Sequence, residues 1–501
     1  DLMAKLNKSW GDFSLNAAIG TSITDTRTSA LRLDSKTASL YYPNVFTIAN
    51  INMSSSAYIE ESDDARRQMQ SFFAMAQLGY KESLYLDVTA RNDWSSTLAF
   101  TERKSRGFFY PSVGLSWIIP KSFSMPSLIS FGKVRASWSK VGNDIPLFVS
   151  NTVGHIAAGG IPQPNDTAPF GTLKPEMSSS FEIGTEWKFF DYRMDVDLTF
   201  YKTNTKNQLF SLPSSAGAAY KYYFVNAGNI QNMGVELTFG AVPILTNQFK
   251  WNTTLNFSRN KNEGKKLHDD LSSFIQGDEG FSSSYTMRLV EGGSFGDIYG
   301  KAFERDKYGA IVYGRDGLPQ EIGSGNTAKV GNCNPAFLLG WGNSFTYKDF
   351  SFYFLIDGHF GGDVLAQTQA VLDQTGVSKV SGEARTMGYV DLEGHHIYNI
   401  KGFYEQVGGR NGVTEYYMYD ATNIRLRELS LGYTLPKRLL GRKQFLKKAE
   451  LSFVARNLFF IYKKAPFDPD AVLSASNSNQ GIDIFGIPTT RSVGFNVKLS
   501  F

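Results

Sequence analysis

Apolar and polar residues alternate at every second position in segment after segment of this sequence, a period that fits only β-strands with two unlike faces. From Phe181 one face reads Phe181, Ile183, Thr185, Trp187 and Phe189, and the other Glu182, Gly184, Glu186 and Lys188. After a short turn at Asp191 and Tyr192, Met194, Val196, Leu198 and Phe200 oppose Arg193, Asp195, Asp197 and Thr199, so the pair reads as a hairpin. The last segment sets Val493, Phe495, Val497, Leu499 and Phe501 against Ser492, Gly494, Asn496, Lys498 and Ser500.

The same reading gives about fifteen strands, near 2–10, 13–25, 70–80, 83–93, 109–118, 133–142, 178–190, 193–204, 228–240, 249–260, 336–347, 350–360, 422–434, 449–459 and 491–501. Their connections alternate in kind. Tight turns fall at Gly11-Asp12, Lys81-Glu82, Asp191-Tyr192 and Lys348-Asp349, and long segments at 26–69, 143–177, 261–335 and 361–421. Short turns on one rim and long loops on the other are the pattern of a transmembrane antiparallel β-barrel. Trp10, Trp187, Phe189, Phe190, Tyr192, Tyr347, Phe350 and Tyr433 flank the short turns, where an interfacial girdle places amphipathic rings. A large soluble all-β protein also alternates, but it rarely sustains strands of ten residues or more with loops so unequal by side. No blade-length repeat points to a propeller.

Composition fits an all-β wall. Aromatic residues make up 14% of the 501 residues and charged residues 20%. Mean hydropathy is −0.25 and no apolar run is long enough for a helical span, whereas alternating barrel strands escape such averages. The net charge of +4 is scattered, without the basic stripe a nucleic-acid groove needs. Cys333 is the single cysteine, so no internal disulfide can form. The chain opens at Asp1 without a charged-then-apolar leader. An odd number of strands cannot close a single-chain bacterial barrel, so further strands are expected before Asp1.

Several stretches, in order along the chain, resemble the SusC/RagA family of TonB-dependent outer-membrane importers. They are Asp87 to Leu98 (DVTARNDWSSTL), Tyr110 to Trp117 (YPSVGLSW), Leu173 to Glu176 (LKPE), Asn226 to Leu237 (NAGNIQNMGVEL) and Gly292 to Gly300 (GGSFGDIYG). Ala421 to Pro436, Ala455 to Phe459 and Phe467 to Asp470 continue the match to the end. The resemblance spans essentially the whole chain, residues 1–501. It implies the C-terminal part of a barrel of about 22 strands, with an N-terminal plug, TonB box and first strands outside this chain. It places the chain in the outer membrane of a Gram-negative bacterium, its closing strand, Phe495, Val497, Leu499 and Phe501, carrying the assembly signal.

The function implied is active import of a nutrient, usually an oligosaccharide and sometimes a peptide. The implied partners are a SusD-like surface lipoprotein, the TonB complex and outer-membrane lipid, with dimers of importer–lipoprotein pairs a further expectation. A passive channel or an adhesin barrel remains the alternative. Two departures stand out. Cys333 sits where the family more often has proline, and Asp306 to Pro319 lacks the acidic, glycine-rich loop often found there, so no calcium site is expected.

Arg91, Asn92, Asp93 and Trp94 read as a structural knot at the long-loop rim, Arg91 pairing with Asp93 and Asn92 satisfying backbone groups at a turn. Tyr220, Tyr222, Tyr223 and Asn226 have the chemistry of a ligand platform, flat rings beside a hydrogen-bonding amide. Glu393, His395 and His396 resemble metal ligands in composition only, since neighbouring histidines on a strand point apart and no third ligand is spaced to join them. No phosphate loop or Cys/His set is present, and we expect neither an enzyme nor a cofactor. The acidic pairs Asp63-Asp64, Asp269-Asp270 and Asp278-Glu279 are expected in solvated loops, and Val364 to Asp373 is expected to form a short helix within one.

Overall fold

The computed structural model describes residues 1–501 except 36, 55–58, 103–105, 158–160, 171–172, 215–216, 268–272, 276–282, 324, 326, 441–445 and 475–478. Asp269, Asp270, Asp278 and Glu279 therefore lie outside the described residues.

Fifteen strands form one antiparallel sheet whose order follows the chain. They are β1 (Leu2–Trp10), β2 (Phe13–Asp34), β3 (Ile59–Tyr80), β4 (Leu84–Ser95), β5 (Gly107–Ile118), β6 (Ile129–Asn143), β7 (Glu176–Phe189), β8 (Met194–Pro213), β9 (Tyr222–Leu245), β10 (Phe249–Lys266), β11 (Phe337–Tyr347), β12 (Phe350–Phe360), β13 (Asn423–Thr434), β14 (Lys448–Lys463) and β15 (Ser492–Ser500). Each contains a segment where the sequence alternates.

Two compact units divide the chain. In the first (residues 1–123, 134–183 and 202–230), the register aligns like with like. Asn7, Asn16, Gln77 and Asp87 form a polar row across β1 to β4, and Leu6, Ala17, Ala76, Val88 and Val113 an apolar row that reaches β5. The polar row is hydrogen-bonded, Asn16 Nδ2 to Gln77 Oε1 at 3.3 Å and Gln77 Nε2 to Asp87 Oδ1 at 2.8 Å. In the second unit (124–133, 184–201 and 231–501), Trp251, Phe345, Phe352, Leu431, Phe453 and Phe495 line up across β10 to β15. One position along, Lys250, Thr346, Ser351, Gly432, Ser452 and Asn496 make the polar counterpart. A single slip in register would mix the two faces, so the alternation and the ladder enforce each other. Rings of neighbouring strands meet beside the short turns, Phe13 with Tyr80 at 5.0 Å and Phe350 with Tyr433 at 4.7 Å.

The sequence underestimates several strands. β2 and β3 run on to Asp34 and back to Ile59, so Asp63 and Asp64 lie in a strand and not in a loop. Alternation is lost there because ladder hydrogen bonds hold a ribbon together even where neither face is apolar.

The described residues of the long connections 267–336, 361–422 and 464–491 fold together rather than hang free. Tyr285–Val290, Asp297–Gly300 and Ala328–Asn332 join Ser273–Ile275 in a four-stranded sheet. Asp363–Ala366 pairs antiparallel with Met418–Asp420 and parallel with Ile482–Asp483. Helices α1 (Gln367–Gln374), α2 (Lys379–Met387) and α3 (Ile400–Val407) complete the lobe. The helix expected over Val364 to Asp373 starts later, at Gln367, because Val364, Leu365 and Ala366 are buried in the small sheet. One hydrophobic core takes Tyr285 and Ile298 from the first connection, Leu365, Phe403 and Tyr417 from the second, and Ile482 from the third.

Candidate functional site

The base of the lobe is fastened to the wall by buried charge. Arg425 on β13 is 1% exposed, and its guanidinium lies 3.0 Å from Asp468 and 2.9 Å from Asp470 in the connection after β14. It stacks over Phe460 at 4.2 Å. Thr489 donates its backbone N–H to Asp468 at 3.1 Å and its hydroxyl at 2.5 Å, so both ends of that connection are tied to one carboxylate. Beside it Arg427 bonds Asp357 of β12 at 2.6 Å and Asn457 of β14 at 3.0 Å. Read as sequence, Ile424 to Arg427 and Phe467 to Asp470 are separate motifs; the fold joins them as cation and anion.

Below this network β9 to β13 border a cavity of about 500 Å³, lined by polar Glu236, Asp357, Arg427 and Asp470 and by apolar Leu237, Phe257, Leu338 and Leu339 among others. Its mixed lining suits an occupant with both hydrogen-bonding groups and apolar surface.

The Gly292 to Gly300 motif builds a second knot in the lobe. Asp297 is fully buried and accepts from the Ser294 N–H at 3.1 Å, Asn332 Nδ2 at 2.5 Å and Lys329 Nζ at 2.7 Å. A Cβ on Gly293 would stand 2.7 Å from the Asp297 carboxylate, which leaves room for glycine alone. Cys333 packs against the lobe core, and burial pushes its thiol up to about 12.

Asp373 at the end of α1 is also buried, accepting from Ser378, from Tyr417 at 3.1 Å and from Gln369 at 2.6 Å. Burial outweighs these bonds and raises its pKa above the usual carboxylate range. A raised folded-state pKa adds stability that is complete below about pH 4 and is lost as pH climbs through the folded value. We therefore predict that α1 and its surroundings resist proteolysis better near pH 4 than near pH 7, read with an acid-tolerant protease. Asp373→Asn should flatten that dependence.

Arg91 and Asp93 share one face of β4, with Arg91 Nε 2.7 Å from Asp93 Oδ1 and Arg91 reaching Ser71 Oγ at 2.7 Å. Tyr110 donates its hydroxyl to Asp93. Asn92 lies within the ladder opposite Phe72 and Phe109, and not at a turn. Trp94 lies against Gly107, where a Cβ would come within 2.7 Å of the indole nitrogen. The following residues do the anchoring. Ser95 and Thr97 donate to buried Asp144 at 2.6 and 3.2 Å, and Leu98 sits in a small core with Phe108, Ile145, Val149 and Leu173.

Tyr220, Tyr222 and Tyr223 are each exposed, beside an ion pair of Lys221 with Asp166 at 2.8 Å. Tyr222 and Tyr223 open β9 as consecutive strand residues, so their rings lie on opposite faces and do not form one platform. Asn226 clamps the backbone, accepting from the Lys174 N–H at 2.7 Å and donating to the carbonyls of Lys174 and Asn207 at 2.9 Å each. Glu393 is engaged by Arg305 at 2.8 Å, a hydrogen bond that holds its carboxyl below the usual range. His395 lies 4.0 Å from the ring of Tyr313, and His396 4.0 Å from that of Tyr389, so the two imidazoles face different neighbours.

A sequence profile of the TonB dependent receptor-like beta-barrel family matches residues 3–458. The chain belongs to that family. Its sheet is therefore the wall of an outer-membrane β-barrel, apolar row towards lipid and polar row inward. The chain is 26% identical over 489 residues to TonB-dependent receptor P3 of Formosa agariphila, covering 89% of this chain and 47% of that protein. It is 22% identical over 491 residues to the TonB-dependent receptor SusC of Bacteroides thetaiotaomicron, covering 89% and 46%. The structure of the RagAB peptide importer in the closed-closed state superposes with a TM-score of 0.77 at 17% identity, over 100% of this chain and 55% of that one. The chain thus spans about half the length of the curated relatives it matches, and its SusC/RagA resemblance holds in sequence and in fold.

Proposed function

We propose that this chain supplies most of the wall and the outer loops of an active importer. An oligosaccharide or a peptide is captured on the long-loop side, a SusD-like surface lipoprotein closes over it, and TonB supplies the pull through a part of the protein outside this chain. Pairs of importer and lipoprotein dimerise in the same reading. The wall performs no bond chemistry.

The observation that supports this most is the folded lobe, three long connections sharing one core and pinned to the wall through Arg425. A rigid outer surface of that kind can hold cargo or a partner, whereas a simple pore needs no such structure. The cavity beneath it offers hydrogen-bonding groups beside apolar surface.

Tyr222, with Tyr220 on the adjoining loop, contacts cargo in this proposal, and Asn226 positions the loop. The test is isothermal titration of the full-length importer complex with a panel of oligosaccharides and peptides, one of which should bind. Tyr222→Ala should then weaken that binding about tenfold, the loss of one stacked aromatic contact with its buried area. Tyr223→Ala, on the other face, should leave it within a factor of about two. Equal affinities for wild type and Tyr222→Ala would remove this loop from the site.

A further inference from the structure

The connection between β13 and β14 concentrates positive charge that the importer reading does not use. From Pro436 to Lys448 it carries Lys437, Arg438, Arg442, Lys443, Lys447 and Lys448 and no Asp or Glu. Arg442 and Lys443 lie outside the described residues. β11 turns into β12 at Lys348-Asp349 and β12 passes into β13 through the lobe, so the antiparallel order brings this connection back to the rim of the Lys348-Asp349 turn. In an outer-membrane wall the short-turn rim is the periplasmic one.

The connection starts beside the aromatic girdle, since Tyr433, whose ring lies 4.7 Å from that of Phe350, closely precedes Pro436. A short 3-10 helix, Lys437–Leu439, is closed by the Leu439 N–H on the Pro436 carbonyl at 2.9 Å. It leaves Arg438 exposed, beside Leu439 at 64% exposure. Leu435 bonds the Ala449 carbonyl at 2.8 Å, so the feet of β13 and β14 are neighbours, and Lys447, also exposed, is held there by its N–H on the Ser500 carbonyl at 2.7 Å. Cations at other short turns are answered locally, Lys81 by Asp12 at 3.6 Å, Lys121 by Glu82 at 3.0 Å and Arg193 by the carbonyls of Val242 and Pro243 at 2.9 and 2.8 Å. Here Glu450 answers Lys448 at 3.0 Å, and among the described residues neither Arg438 nor Lys447 has a carboxylate partner.

We infer that Arg438 and Lys447 hold the phosphate of an acidic phospholipid in the inner leaflet of the outer membrane, with Leu439 lodged in the same interface. This rests on the outer-membrane wall and not on the importer reading. Headgroups lie level with an aromatic girdle, and the connection leaves the wall at that level. Unpaired cations beside an exposed leucine are the makeup of a segment that lies in a membrane interface, drawn there by anionic lipid. Long basic side chains can lay their stems along the apolar wall and still reach a phosphate.

The test is native mass spectrometry of the full-length protein in detergent, titrated with phosphatidylglycerol and, separately, with phosphatidylethanolamine. Each cation at an anionic surface strengthens binding roughly fivefold. Wild type should favour phosphatidylglycerol, and Arg438→Gln combined with Lys447→Gln should cut that affinity roughly 25-fold, with the barrel's resistance to sodium dodecyl sulfate unchanged. Arg438→Lys combined with Lys447→Arg keeps both charges and should keep the affinity. The same loss of charge from the lobe, Lys379→Gln with Lys401→Gln, should leave it unaltered. Wild type that binds the two lipids alike overturns the inference, as does a double glutamine variant that keeps the preference. Tighter binding of inorganic phosphate than of phosphatidylglycerol would also overturn it, by making the connection a site for free anions.

Discussion

Arg425→Met releases the connection between β14 and β15. The substitution removes a 1% exposed guanidinium and strands Asp468, itself 6% exposed, without a cation. Breaking a buried pair from one side costs about 3–5 kcal/mol, because the remaining charge keeps its desolvation penalty. Each 1.4 kcal/mol is tenfold in an equilibrium. Amide exchange across residues 464–491 should therefore quicken by roughly two to three orders of magnitude, while β10 to β12 keep their protection. Arg425→Lys should recover only part of this, since an ammonium cannot reproduce the two-carboxylate fork or the stacking on Phe460. Exchange in the variant equal to wild type would show that the connection is held by its other contacts.

Phe403→Ala loosens the lobe and leaves the wall. Phe403 on α3 is 0% exposed in the core shared by all three connections. Truncating a buried phenylalanine costs about 3–5 kcal/mol in lost burial and residual cavity. Limited trypsin digestion should then cut at Lys379 and Lys401, in or beside the helices, in a variant whose barrel still migrates as a folded species. Cargo binding should fall with it if the lobe holds the cargo side. A lobe as resistant as wild type would mean that its order is imposed by the wall and not by its own core.

The wall was legible because lipid and water impose opposite demands on alternate residues, and rows such as Trp251 to Phe495 obey both. Where that pressure stops, the reading stops. Thr26 to Asp34 and the small lobe strands carry no strict period, since ladder bonds, side-chain knots and a shared core hold them instead. The pairing of Arg91 with Asp93 could be read from their spacing on one strand face. That of Arg425 with Asp468 could not, because 43 residues separate them and only the fold brings them together. Tyr222 and Tyr223 show the opposite failure. Their composition suggested one surface, and strand geometry divides them.

As proposed above, this wall belongs to a pump driven from the inner membrane and not to a pore. The direct measurement is uptake of the bound oligosaccharide or peptide, radiolabelled, by cells carrying the full-length protein with and without a functional TonB. Accumulation should disappear when TonB is deleted or the proton gradient is collapsed. Uptake that persists unchanged without TonB would contradict it and make the barrel a passive channel.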